Sequence, residues 1–256
     1  MKNQYQNATN IAARIKLHSL YSINKAGWFP WIYSQCHLQS GMNVLELGCG
    51  DGALWKQNFS LLPQDIHITL SDISDGMLRD ARRALGARDS RFSFAAFDCE
   101  KIPAPSESYD LVIANHVLFY CDNLENVCKE VRRVLKPGGR FLCSTYGNSH
   151  MKEISQLVSQ FDERIVLSAN KLYEKFGREN GAQVLEPWYS RVEWISYEDG
   201  LLVSDPEPLI SYILSCHGNQ NQYLLDHYKE FRSFVKRKTE KGFHITKDAG
   251  IFICNY

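Results

Sequence analysis

The chain has 256 residues, of which 44% are hydrophobic and 23% charged, and its 29 basic and 29 acidic residues leave no formal net charge. This composition is that of a globular protein and excludes the disordered, collagen-like and low-complexity classes. A nucleic-acid partner is not expected, because contacts to phosphates usually require an excess of basic residues.

The start of the chain and its cysteines indicate where the protein is found. The first ten residues are polar, and no apolar run elsewhere approaches the ~18 residues that span a bilayer. The eight cysteines form no C-x-x-C pair, which favours reduced thiols over disulfides or a zinc site. We therefore expect a cytoplasmic protein with no signal peptide, no membrane contact and no bound metal.

The first predicted elements are two short helices between Asn10 and Cys36, interrupted near Ala26-Gly27. Strands and helices then alternate as far as Tyr146, which is typical of repeated βαβ units and predicts a parallel sheet. The strands predicted there cover residues 43–47, 66–71, 92–97, 111–114 and 140–146. The helices predicted between them start at residue 53 or cover residues 76–85 and 125–135, the last ending at the terminating sequence 136–139.

After Gly147 the alternation changes. Helices are predicted over residues 150–161, 181–188, 206–215 and 222–238, and strands over residues 191–197 and 250–256. The last strand is apolar and terminal, so we expect it to enter the sheet as an antiparallel strand. The helices between residues 205 and 238 interrupt the last hairpin of the sheet and are interpreted as a lid.

The sharpest local signal is a glycine turn, Gly48-Cys49-Gly50-Asp51-Gly52, directly after a predicted strand. Glycine permits positive φ angles and lets backbone N–H groups approach a ligand with no Cβ in the way. Dinucleotide dehydrogenases use G-x-G-x-x-G, whereas the spacing here is G-x-G-x-G. The turn therefore favours a ligand without a pyrophosphate.

Three further polar positions follow predicted strands: Asp72, Asp98 and the pair Asn115-His116. A carboxylate at the position of Asp72 can accept both hydroxyls of a ribose, although a lone aspartate there is more often a turn residue. The carboxyl ends of parallel strands share one edge of the sheet, where open α/β proteins bind ligands. These positions and the glycine turn are therefore expected to line one crevice.

Four stretches between Gly41 and Gly147 carry a family resemblance: ELGCGDG, LSDISDGML, FDCEKIPAPSESYDLVIANHVLFY and VRRVLKPGGRFL. In this order they resemble the class I S-adenosylmethionine-dependent methyltransferases, in particular the small-molecule group similar to the ubiquinone-biosynthesis type. The resemblance implies an α/β fold with a Rossmann-like, seven-stranded, mostly parallel sheet whose last strand is antiparallel. It also implies S-adenosylmethionine as cofactor and S-adenosylhomocysteine as product.

The resemblance places four residues around the methionine part of the cofactor: Glu46, Gly48, Gly50 and Asp51. It places Asp72 on the ribose, and Asn115 would offer its carbonyl to the amino group of the cofactor.

On the adenine side, Ile73 and Met77 would flank the face of the base. Asp98 would accept a hydrogen bond from the adenine amino group, with the backbone of Cys99 nearby.

Methyl transfer from a sulfonium is an in-line displacement that depends mainly on holding the acceptor behind the methyl carbon in a dry site. A base helps when the acceptor is a hydroxyl or an acidic carbon. His116 is the first candidate for this base and His18 the second, and a structural role remains the alternative for both.

Aromatic residues in the N-terminal segment and after the fourth strand are candidate substrate contacts, with plain core packing as the alternative. The predicted set is Tyr21, Trp28, Trp31 and Tyr120. Arg14 is either a partner of the cofactor carboxylate or a solvated surface residue.

We divide the chain into an N-terminal lid segment (1–38), a cofactor-binding core (39–150) and a C-terminal part (151–256) that completes the sheet, all within one domain. The predicted function is methyl transfer to an O, N, S or C atom of a small molecule. The alternatives are an RNA or protein methyltransferase and a catalytically silent cofactor-binding module. The sequence indicates neither the acceptor nor an oligomeric state.

Overall fold

In a computed structural model of the chain, the structure describes residues 8–86, 89–168 and 170–256. They form two compact units, each assembled from three stretches of the chain. The sheet unit consists of Ala26–Gly147, Leu172–Tyr197 and Ala249–Tyr256. The helical unit takes the described residues of Met1–Lys25, Asn148–Lys171 and Glu198–Asp248.

The described residues contain nine strands, numbered here in chain order. They are β1 (Asn43–Leu47), β2 (His67–Asp72), β3 (Phe92–Ala96), β4 (Tyr109–Asn115), β5 (Leu135–Tyr146), β6 (Arg191–Ser196), β7 (Asp199–Val203), β8 (Phe243–Lys247) and β9 (Ala249–Asn255).

The same residues contain eleven α-helices. They are α1 (Ala8–Tyr21), α2 (Trp28–Cys36), α3 (Ala53–Gln57), α4 (Asp75–Leu85), α5 (Leu124–Val134), α6 (Lys152–Phe161), α7 (Leu172–Lys175), α8 (Gly181–Leu185), α9 (Pro206–Leu214), α10 (Gln220–Leu224) and α11 (Tyr228–Thr239).

The sheet unit is built on a seven-stranded sheet with the order β3-β2-β1-β4-β5-β9-β6. Strands β1 to β5 pair in parallel, and β9 runs antiparallel to both of its neighbours, β5 and β6. This confirms the predicted mostly parallel, Rossmann-like sheet with an antiparallel last strand. The carboxyl ends of β1, β2 and β4 consequently lie at one edge, on either side of the point where the strand order reverses.

Both faces of the sheet are covered. Leu111, Val112, Ile113 and Ala114 in β4 are all at most 1% exposed, as expected for a strand buried on both sides. Successive side chains point to opposite faces, so Val112 belongs to one apolar cluster and Ile113 to the other. The core of this unit therefore has two layers, with the edge at the strand ends left for polar groups.

Helix α4 shows how the sequence defines the elements that flank the sheet. Its N-cap, Ser74, accepts a hydrogen bond from the backbone N–H of Met77. Leu78, Ala81 and Leu85 follow at helical spacing and are all buried. The helix thus begins immediately after β2 and covers the sheet with its apolar face.

In the helical unit, a buried ion pair joins the two strands of the β7–β8 sheet, and its carboxylate also bonds to the chain after α1. The side chain of Asp199 has no solvent exposure and accepts from the ammonium group of Lys247 at 2.7 Å. The same carboxylate accepts from the hydroxyl of Ser22 at 2.5 Å and from the backbone N–H of Asn24 at 2.9 Å. Such a fully bonded pair fixes the geometry of the segments that it joins.

The structure corrects several predicted elements. The fifth strand was predicted to begin at residue 140, after a terminating turn at residues 136–139. Instead, β5 begins at Leu135 and includes these residues, and its register with β4 shifts between Tyr109 and Leu111. The predicted helix 222–238 is two helices, α10 and α11, and the hairpin strands β7 and β8 and helix α7 were not predicted. At the start of β5, pairing with β4 overrides the local preference of residues 136–139 for a turn.

Among the described residues, no helix combines the length and apolar composition needed to cross a bilayer.

Candidate cofactor and active site

The glycine turn after β1 has three glycines with positive φ angles, and a different physical reason favours glycine at each position. A Cβ on Gly48 (φ 64°) would lie 2.5 Å from Cγ2 of Val117, because the turn approaches the segment after β4. A Cβ on Gly52 (φ 76°) would lie 3.1 Å from Leu85 in α4. Gly50 (φ 56°) faces open space. Gly48 and Gly52 thus permit close packing, and Gly50 leaves the backbone open to a ligand.

Asp72, at the end of β2, is bonded to this turn. One carboxylate oxygen accepts from the backbone N–H of Gly50 at 3.1 Å, and the other accepts from the N–H of Ser74 at 2.8 Å. A carboxylate has about four acceptor positions, and the residue is only half-buried. Asp72 can therefore accept two further hydrogen bonds, as the two hydroxyls of a ribose would require.

Glu46 lies in β1, two residues before the turn, and is 2% exposed. Its carboxylate accepts from the indole N–H of Trp55 at 2.5 Å. Burial raises the pKa of Glu46 to about 8, opposed by the Trp55 hydrogen bond and reinforced by the nearby charges of Asp72 and Asp51. The neutral acid is therefore the favoured form at neutral pH. The predicted position of Glu46 beside the cofactor stays a prediction.

The residues predicted for the adenine side lie in the turns after β2 and β3. Ile73 is 76% exposed directly after Asp72, an unusual place for a large apolar side chain. Asp98 is exposed, and one of its carboxylate oxygens accepts from the backbone N–H of Glu100 at 2.9 Å. Met77 is half-buried in α4. Their contacts with adenine stay predictions.

Cys99 follows Asp98, and its sulfur is 3.2 Å from the sulfur of Cys121. The hydrogen bond with Cys121 and burial raise the pKa of the Cys99 thiol well above its usual value. A protonated, partly buried thiol is a packing group and a poor nucleophile.

A hydrogen-bond network follows β4. The side-chain oxygen of Asn115 accepts from the hydroxyl of Ser144 at 2.6 Å and from the indole N–H of Trp28 at 3.2 Å. The backbone N–H of His116 donates to the same hydroxyl at 2.8 Å. His116 has φ 58°, a left-handed conformation that costs a non-glycine residue free energy and is frequent at functional sites. The network holds this histidine at the edge of the sheet.

Aromatic rings surround His116. Trp28 stacks on its imidazole, with ring centroids 5.1 Å apart and planes inclined by 14°. Tyr197 meets Trp28 edge-on at 5.2 Å and lies 5.0 Å from Trp31. Tyr146 is 6.4 Å from His116 on another side. The predicted residues Trp28, Trp31 and His116 are therefore brought together.

Tyr120, the remaining predicted aromatic residue of the sheet unit, joins the same ring cluster through Phe119. The two rings meet edge-on at 4.7 Å, and Phe119 lies 6.0 Å from His116.

Four residues of this site were not predicted from the sequence: Ser144, Tyr146, Tyr197 and Phe119. Ser144 pairs with Asn115 in the register of β4 and β5. Tyr146 pairs with Ala249, whose carbonyl accepts from the backbone N–H of Tyr197 at 2.8 Å. The predicted end of the fifth strand at residue 146 was an available signal for the first two, whereas the position of Tyr197 depends on the insertion of β9.

Arg14, His18 and Tyr21 lie in α1, in the helical unit. Arg14 donates to the backbone carbonyl of Ser215 at 2.8 Å. The imidazole of His18 meets the ring of Tyr212 edge-on at 6.3 Å. Burial and the charge of Asp205 raise the pKa of Tyr21. Their predicted roles toward the cofactor and substrate stay predictions.

Comparison with known proteins agrees with the sheet topology and the turn. Residues 45–143, which include β1 and its glycine turn, match the family described as Methyltransferase domain. Residues 45–143 thus carry a methyltransferase domain, and the seven-stranded sheet has the fold of the class I S-adenosylmethionine-dependent methyltransferases. The specific similarity to the ubiquinone-biosynthesis type stays a prediction.

Curated relatives of this methyltransferase domain include both free-standing enzymes and parts of very large ones. A malonyl-[acyl-carrier protein] O-methyltransferase of Enterobacter lignolyticus is 32% identical over 124 residues, which are 47% of this chain and 45% of that protein. A reducing polyketide synthase of Botryotinia fuckeliana is 33% identical over 128 residues, 48% of this chain and 5% of that protein. The aligned part thus covers less than half of either relative.

Solved structures with the same fold as the methyltransferase domain extend further along the chain. Phosphoethanolamine N-methyltransferase 2 of Haemonchus contortus, in complex with phosphomonomethylethanolamine and S-adenosylhomocysteine, superposes with a TM-score of 0.60 at 19% identity, covering 99% of this chain and 58% of that one. The YcgJ protein of Bacillus subtilis gives a TM-score of 0.55 at 15% identity, covering 89% of this chain and 97% of that one. At these identities the likeness concerns the fold.

Proposed function

We propose that the protein binds S-adenosylmethionine and transfers its methyl group to a small-molecule acceptor. The observation that carries this proposal is the bond between Asp72 and the glycine turn. It fixes a carboxylate with two spare acceptor positions beside Gly50, whose α-carbon faces open space. This arrangement suits a ribose next to an extended amino-acid chain and offers no second glycine bend for a pyrophosphate.

In this proposal the residues of the sheet unit divide the cofactor among them. Glu46, Gly48, Gly50 and Asp51 hold the methionine part, and Asp72 holds the ribose. When bound, the cofactor supplies an electrophilic methyl group on a positively charged sulfur.

The remaining cofactor contacts concern the adenine and the amino group. Ile73, Met77, Asp98 and Cys99 surround the adenine. Both lone pairs of the Asn115 side-chain oxygen are used by Ser144 and Trp28. Its main-chain carbonyl is therefore the group that we assign to the amino group of the cofactor.

A small-molecule acceptor is supported by the balance of charges in the chain. It is also supported by the relative whose name gives malonyl-[acyl-carrier protein] as its substrate. Bound beside His116, an acceptor would be shielded from water by the surrounding aromatic rings, which could also stack on it. His116 is the proposed base for a hydroxyl or acidic carbon. Its backbone N–H donates to the hydroxyl of Ser144, which holds the residue in place.

Two measurements test this function. Isothermal titration should show that the protein binds S-adenosylmethionine and S-adenosylhomocysteine but not a nicotinamide dinucleotide. The protein is then incubated with a metabolite extract and methyl-labelled cofactor, and mass spectrometry should find the label in a small molecule. Label recovered only in RNA or protein would favour that alternative acceptor, and binding without any labelled product would favour a silent module.

A further inference from the structure

Three carboxylates surround the glycine turn: Glu46, Asp51 and Asp72. Glu46 differs from the other two because it is 2% exposed, whereas Asp51 is exposed and Asp72 half-buried. Its carboxylate is bonded to the Trp55 indole, a neutral donor. No ion pair within residues 8–86, 89–168 and 170–256 includes Glu46.

In the part of the chain that the structure describes, the elements packed around Glu46 supply no compensating positive charge at its carboxylate. Cys36 in α2 is buried, and its thiol donates to the backbone carbonyl of Ile32 at 3.3 Å. Arg140 in β5 donates to backbone carbonyls at the end of α2, those of Gln35 and Cys36. The remaining titratable neighbours, Cys49, Asp51 and Asp72, are neutral or negative.

A buried carboxyl group beside other carboxylates retains its proton until a positive charge arrives. For Glu46 the raised pKa, about 8, has this cause. The cofactor and its product differ at the reacting sulfur by one positive charge, since the sulfonium becomes a neutral thioether after methyl transfer. A group whose ionisation depends on a nearby cation will therefore respond differently to the two ligands.

We propose that Glu46 distinguishes the sulfonium cofactor from the thioether product through its proton: it gives the proton to solvent when the cofactor binds and takes one up again when the positive charge is lost. This inference rests on the proposed function. In it, the protonation state of Glu46 favours the replacement of bound product by new cofactor. The bonds involved are the O–H bond of the Glu46 carboxyl and an O–H bond to solvent, so no other reactant is needed.

The sign of the pH dependence follows from linkage. The free protein holds the Glu46 proton below pH ~8, so binding of the sulfonium must release it, and affinity rises with pH. We expect the affinity for S-adenosylmethionine to increase about tenfold from pH 6.5 to 7.5, which is the limit for release of one proton. The affinity for S-adenosylhomocysteine should change far less over the same range.

The experiment is calorimetric titration at pH 7 in two buffers of different ionisation enthalpy, which counts the protons released. The unaltered protein should release close to one proton with S-adenosylmethionine and much less with S-adenosylhomocysteine. Glu46→Gln keeps an oxygen acceptor for Trp55 and should abolish this difference. Asp75→Asn, the matched control, removes an exposed carboxylate of α4 that is not among the proposed cofactor contacts and should retain it.

Equal proton release with both ligands, or release that persists in E46Q, would overturn the inference. If the cofactor binds without proton release, this inference is wrong and the proposed function stands. If the cofactor does not bind, the proposed function is wrong as well. If E46Q does not fold, ¹³C-carboxyl NMR of glutamate-labelled protein gives the answer instead. One glutamate should titrate near neutral pH without ligand and with the product, and be ionised throughout that range with the cofactor. The inference is wrong if no glutamate behaves in this way.

Discussion

Trp28 contacts two residues at the carboxyl end of β4: its indole stacks on the imidazole of His116, and its N–H donates to the side-chain oxygen of Asn115. The stacking fixes the plane of the His116 ring, and the hydrogen bond fixes the position of the Trp28 indole that stacks on it. The imidazole is therefore held in one orientation. His116 also has a left-handed backbone conformation, which its N–H bond to Ser144 stabilises. A histidine held in this way suits proton transfer at a fixed position.

If His116 is the base, His116→Ala should lower methyl transfer by about 10² or more. Binding of S-adenosylmethionine should stay within about twofold, because the imidazole is not among the proposed cofactor contacts. Transfer of labelled methyl to the acceptor found by mass spectrometry measures the first effect, and calorimetry the second. His18→Gln, which alters the other candidate base, is the comparison. A larger loss in H18Q than in H116A would reverse the assignment.

Asp72→Ala should weaken the binding of S-adenosylmethionine by about 1 to 3 kcal/mol, because hydrogen bonds to a charged acceptor are lost. The N–H of Gly50 also loses its partner, so part of this effect comes from a less ordered turn. The control is Asp75→Ala, which removes an exposed carboxylate from the first turn of α4 and should change the affinity little. Unchanged titration heats in D72A would remove Asp72 from the site.

Alanine substitutions separate the roles of the glycines. Gly50→Ala and Gly138→Ala both place a Cβ at a positive φ with open space around it, and each should cost about 1 to 2 kcal/mol of stability. Only G50A should also weaken cofactor binding, since Gly138 lies near the amino end of β5, away from the carboxyl ends of the strands. Gly48→Ala should destabilise more than either, because of the contact with Val117. Denaturant unfolding and calorimetry measure the two effects, and equal affinity in G50A and G138A would contradict the assignment.

Lys247→Met should destabilise the protein by about 3 to 5 kcal/mol, because it leaves the Asp199 carboxylate buried without its cation. Arg83→Met breaks an exposed pair with Asp80 and should cost at most about 0.5 kcal/mol, as measured by denaturant unfolding. Similar losses in the two variants would show that the Asp199 pair contributes no more than a surface pair.

Asp199 also predicts a direction for acid unfolding. Burial alone would raise its pKa, but hydrogen bonds from Lys247, Ser22 and Asn24 outweigh burial and lower it. A carboxyl group whose pKa is lower in the folded state contributes stability at neutral pH and loses it as the pH falls through that folded value. Asp199→Asn should therefore flatten the loss of stability on acidification. An unchanged slope would contradict this.

The strand–turn–helix order around β1 could be predicted because it depends on neighbours in the chain. Gly50 and Asp72 were predicted as site residues for the same reason, each by its place next to the end of a strand, and their roles stay predictions. The start of β5 was missed, since residues with strong turn preferences are drawn into the sheet by pairing with β4. The two-stranded β7–β8 sheet was not predicted, because three helices separate its strands in the chain.

The sequence by itself determined the alternating parallel architecture, the glycine turn and the acidic residue at the end of β2, because residue type and spacing carry that information locally. Only the tertiary structure decided that Ser144, Tyr146 and Tyr197 join Trp28 around His116, because the register of three strands places them there. It also decided that Glu46 is a buried acid bonded to a tryptophan. Burial and the charges of distant residues set the proton affinity of a side chain, and neither can be read from its immediate neighbours in the chain.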